Sequence, residues 1–135
     1  MNSLRDEGME RLVAAVGAAV GGTTDDWESR LSAGLRAGLE FLADDPALAC
    51  RLLVEPFGVT GGEARLAHER SITRLAEALR PPDKLTGGEP ISDEILWLQA
   101  HGLVSYLSGR VLAGEARRLA DDHQALLRFL LAQHP

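Results

Sequence analysis

The segment from about Ile91 to Ala113 carries apolar residues on two opposite sides of a helix. At roughly 100° per residue, Ile91, Ile95, Leu98, Gly102, Tyr106, Gly109 and Ala113 fall on one side. Leu96, Trp97, Ala100, Leu103, Val104, Leu107 and Val111 fall on the other. Two narrow polar seams, Gln99 with Arg110 and His101 with Ser108, separate them. An ordinary surface helix has one apolar stripe. A helix with two must be covered twice, and a chain of 135 residues has few elements to do it. A second copy of the chain is the economical cover, so the pattern predicts a dimerising helical domain.

Composition agrees with one helical domain over residues 1–135. Hydrophobic residues make up 45% and charged residues 25%, while aromatics are only 4%. Leu and Ala, good helix formers, dominate over the β-branched and aromatic residues that strands favour. The net charge is −6, with 14 Lys and Arg scattered among 20 acids. Nucleic-acid binders concentrate basic charge on one face, so no direct nucleic-acid contact is expected. The lone Cys50 excludes an intrachain disulfide. No secretory leader and no apolar run of membrane-spanning length is found, which makes a cytoplasmic protein without membrane contact the expectation.

Six helices are predicted. The first runs from about Asp6 to Val20 and ends at Gly21 and Gly22. The second is capped by Asp25 with Glu28 as its capping-box partner, and Trp27, Leu31, Gly34, Leu35, Gly38 and Leu42 form its buried stripe. Glycine costs about 1 kcal/mol against alanine in a helix interior, so Gly34 and Gly38 leave room for either a close neighbour or a ligand, close packing being the more usual reason. The third starts at Asp45 with Pro46 at its first position and runs to about Phe57, with Pro56 as a kink. The fourth has Thr60 and Glu63 as a capping box and stops at Arg80 before Pro81 and Pro82. A polar loop follows, then the two-faced helix. The sixth covers about Ala116 to Gln133, and its second half is apolar nearly all round. The fifth and sixth are expected to pack as an antiparallel hairpin. Two hairpins about a two-fold axis make a four-helix bundle with a self-complementary interface. Small residues allow close helix crossing, so the face with Gly102, Ser105 and Gly109 is assigned to the partner, and the face with Trp97 and Val104 to the chain's own interior.

Three stretches carry a resemblance to a known family. WESRLSAGLRAGLEFLADDPALACRLLVEPF (Trp27 to Phe57), HERSITRLAEALRP (His68 to Pro81) and ILWLQAHGLVSYLSGRVLAGEARRLADDHQALLRFLLAQH (Ile95 to His134) resemble the C-terminal half of TetR-family transcriptional regulators. The likeness lies in helix order and helix-boundary signals and spans most of the chain. It implies an all-α, six-helix domain that homodimerises through a four-helix bundle of the last two helices. It also implies a cavity for a small, mostly apolar effector, whose binding releases operator DNA from N-terminal helix-turn-helix domains. The present sequence is expected to hold no room for such a DNA-binding domain.

With that resemblance, the expected effector contacts are Gly34, Gly38, Leu39, Cys50, Leu53, Val54, Phe57, His68, Ile72, Trp97, His101 and Val104. A pocket of this kind is mostly apolar with a few placed polar groups, the role open to His68 and His101. Each also has a plain core reading: a satisfied buried histidine for His68, a position at the dimer boundary for His101, and ordinary packing for Trp97. Cys50 is expected as a small buried hydrophobe. The expected dimer contacts are Leu98, Gly102, Ser105, Tyr106, Gly109, Ala113, Leu126, Leu127 and Leu130. No metal, cofactor or catalytic group is expected: the histidines lack zinc-type spacing, no Glu lies three residues before a His, and no nucleotide-binding or nucleophile motif occurs. The alternative is a stand-alone helical interaction module that lacks DNA binding and pairs with another protein.

Overall fold

The computed structural model describes residues 3–22, 26–54, 62–80 and 91–132, apart from the side chains of residues 3–6, 62–65, 67 and 68. Among the described residues the chain is all helical, with six α-helices: α1 (Ser3–Gly21), α2 (Trp27–Asp44), α3 (Pro46–Leu53), α4 (Gly62–Ala78), α5 (Asp93–Leu112) and α6 (His123–Leu131). A 3-10 helix, Ala116–Asp122, stands where the first half of the expected sixth helix was placed. Phe57 and the side chain of His68 lie outside the described residues.

The helix boundaries show which local signals act. The cap of α2 is Asp26, one residue after the expected Asp25, and its side chain accepts from the Ser29 amide at 2.9 Å. That bond, first in importance, holds the Asp26 carboxyl below its ordinary value. Asp45 caps α3 by accepting from the Leu48 amide at 3.1 Å, with Pro46 at the first helical position as expected. Helix α3 ends at Leu53, short of Phe57. Ser92, which sequence reasoning passed over, caps α5 through the Ile95 amide. Gly114 ends α5 at φ 80°, with its own amide bonded to the Val111 carbonyl and the Glu115 amide to that of Arg110. These two bonds and the left-handed glycine form a Schellman motif.

Helix α2 is the central element. It packs on α1, α3, α6 and the 3-10 helix, while α5 packs on α3 and α4. One core cluster joins Leu39, Leu42 and Ala43 of α2, the buried side of α3, and Leu103, Leu107 and Val111 of α5 with Leu119 and Leu126. A second joins Ile72, Ala76 and Leu79 to Leu96, Ala100 and Leu130. Leu35, Leu75 and Val104 pack against both and knit them together.

The expected antiparallel pairing of α5 with α6 is present, and α6 packs on α2 as well. Helix α6 lies along α2, and it meets α5 through side chains: Gln99 Nε2 donates to the Leu130 carbonyl at 3.0 Å, and Gly102 faces the Phe129 ring. Leu126 and Leu130, assigned from sequence to the partner, are only 6% and 1% exposed and belong to the chain's own core. Leu127 is half-buried beside α2. The apolar side of the short α6 is shared between α2 and α5.

Candidate functional site

Helix α5 divides as its sequence pattern requires, with two departures, Gln99 and Trp97. Leu96, Ala100, Leu103, Leu107 and Val111 are buried, and Gln99, placed in a polar seam by sequence, is buried with them. On the opposite side Leu98 is 65%, Tyr106 45% and Leu112 76% exposed. Ile95 and Phe129 of α6 extend the same kind of surface. Ser105, Gly109 and Ala113 are also exposed, and a Cβ added at Gly109 would meet nothing within 4 Å. Gly102 differs: its missing side chain makes space for the Phe129 ring of the same chain, 3.3 Å from where a Cβ would stand.

Trp97 was expected on the interior face but is 39% exposed. Its ring stacks on that of His101 one turn later, with centroids 4.7 Å apart and planes tilted by 55°. His101 Nδ1 also lies 3.4 Å from the Ser105 hydroxyl. Val104 is half-buried between the two core clusters.

The remaining expected effector contacts are not brought around one space. Leu39 and Ile72 are deep in different core clusters, and Leu53 packs with the first. Val54 packs at the edge of that cluster. Cys50 is exposed, correcting its reading as a buried hydrophobe. Gly34 and Gly38 face α1: a Cβ at Gly34 would stand 3.0 Å from Val20 and 3.3 Å from Val16, and one at Gly38 would stand 3.3 Å from Val16. Close helix packing is therefore what these glycines serve.

An open depression of about 640 Å³ lies elsewhere, between α1, α2 and α6. Ala19, Ala33, Ala37 and Leu127 give it apolar walls, and Glu28, Arg36 and Glu40 give it charge. Ser32 lines it too and bonds inward to His123, a residue sequence reasoning did not single out. His123 is 4% exposed. Its Nε2 stands 3.0 Å from the Ser32 carbonyl and 3.2 Å from the Ser32 hydroxyl. A carbonyl only accepts, so Nε2 carries the proton and donates to it, which leaves Nδ1 buried without a partner. The only sequence signal for His123 was its place three residues before Leu126 in an apolar helix.

Charged clusters pin the two ends of α5. Arg80 binds Glu77 and Asp93 and donates to the Ile91 carbonyl at 3.2 Å, tying the end of α4 to the start of α5. Hydrogen bonds to Glu77 and then Asp93 raise its pKa further above an already high value. At the other end Arg110 binds Glu115 and Asp122, each at 2.9 Å. Desolvation first, then the neighbouring Asp122 carboxylate, pushes the Tyr106 phenol above its ordinary 10.0. Among the described residues no cluster of His, Cys, Asp or Glu could hold a metal ion, and no helix is long and apolar enough to cross a membrane.

Comparison with known protein families, with curated proteins and with solved structures finds no match for this chain.

Proposed function

We propose that this chain is the self-associating, effector-sensing domain of a TetR-type transcriptional regulator. The observation that carries the reading is the outward side of α5, where Leu98, Tyr106 and Leu112 are exposed on the same side of the helix as the open Gly109. Contiguous apolar surface of this kind marks an association site. In the proposed homodimer that side of α5 meets its copy about a two-fold axis, with Gly109 at the crossing. A small, mostly apolar effector would be met by the half-exposed Trp97–His101 ring pair. Its binding would bias the arrangement of the two subunits, and DNA-binding domains of a full-length protein would carry the output.

Sedimentation of the chain at micromolar concentration tests the association. A dimer is expected, and Gly109→Leu or Leu98→Glu should give a folded monomer. A wild-type monomer would overturn the reading. Thermal-shift screening with small apolar compounds tests the effector, with Trp97→Ala expected to abolish any stabilisation found.

A second reading, a helical module that pairs with a different protein and senses no effector, is favoured by one observation. The room beside Gly34 and Gly38 is taken by Val16 and Val20 rather than left for a ligand. A wild-type monomer that forms a one-to-one complex with a full-length regulator would support it.

A further inference from the structure

We draw no further inference here: the strongest candidate, the open depression floored by Ser29, Ser32, Ala33 and Ala37 of α2 between α1 and α6, is a stripe of small residues rimmed by the exposed charges of Glu28, Arg36 and Glu40, and nothing in the structure shows what covers it.

Discussion

Two glycines in helix interiors carry the same intrinsic cost and serve different ends. Gly34 is met at 3.0 Å by Val20 of α1, so even one added carbon requires the valines of α1 to give by a few tenths of an ångström. Gly34→Val is expected to destabilise the fold by about 1–3 kcal/mol through overpacking. Gly109 meets nothing, and its backbone is ordinary helix, since Gly114 alone among the described residues has a positive φ. Gly109→Ala should therefore leave the fold intact or stabilise it by up to about 1 kcal/mol. Urea unfolding of the two variants well below any dimerisation concentration checks both, and a destabilised Gly109→Ala there would mean that the glycine has a partner within the chain. Tyr106, the chain's single tyrosine, supplies a second check. Its raised pKa means that the fold favours the neutral phenol. That contribution is whole below pH 10.0 and lost as pH rises through the higher folded value. Tyrosinate absorbance at 295 nm should show a midpoint above 10.0, falling back toward it in Asp122→Ala.

Helix α5 organises its neighbours through polar side chains as much as through leucines. The last carbonyls of any helix lack partners within it. Ser108 Oγ lies 2.6 Å from the Leu53 carbonyl at the end of α3 and 2.8 Å from that of Val104, sharing one proton between them. Gln99 does the same service for α6 at Leu130, at the cost of leaving its own Oε1 buried without a partner. Opposite expectations follow for two substitutions. Gln99→Met loses the bond to Leu130 but also removes the orphaned oxygen, so its effect should stay within about 1 kcal/mol. Gln99→Asn is too short to reach, keeps a buried amide and should cost about 2 kcal/mol. Thermal unfolding that ranks Met below Asn would contradict the capping role. These contacts were not legible in the sequence, because Gln99 and Ser108 read there only as members of narrow polar seams. The caps were legible where one residue supplies them locally: Asp45 with Pro46 sits where expected, whereas the start of α2 is one residue later, at Asp26.

Across the whole molecule, leucines with the same sequence character have different fates. Leu126 and Leu112 both sit in apolar stretches near the C-terminus, yet one is 6% and the other 76% exposed. Leu126→Ala should cost about 2–5 kcal/mol by opening a cavity between α2, α5 and the 3-10 helix. Leu112→Ala should change the stability of the isolated chain by no more than about 0.5 kcal/mol. Denaturant unfolding well below any dimerisation concentration separates the two, and equal losses would mean that α6 is seated otherwise. The all-helical class, the order of the helices and the two-sidedness of α5 follow from the order of residues along the chain. They rest on periodicity, capping groups and glycine at helix ends, all of which act within a few positions. Packing alone settled the rest: that α6 lies on α2 as well as on α5, that His123 and Gln99 are interior, and that Trp97 and Cys50 are not. Such outcomes depend on which of several apolar surfaces meet.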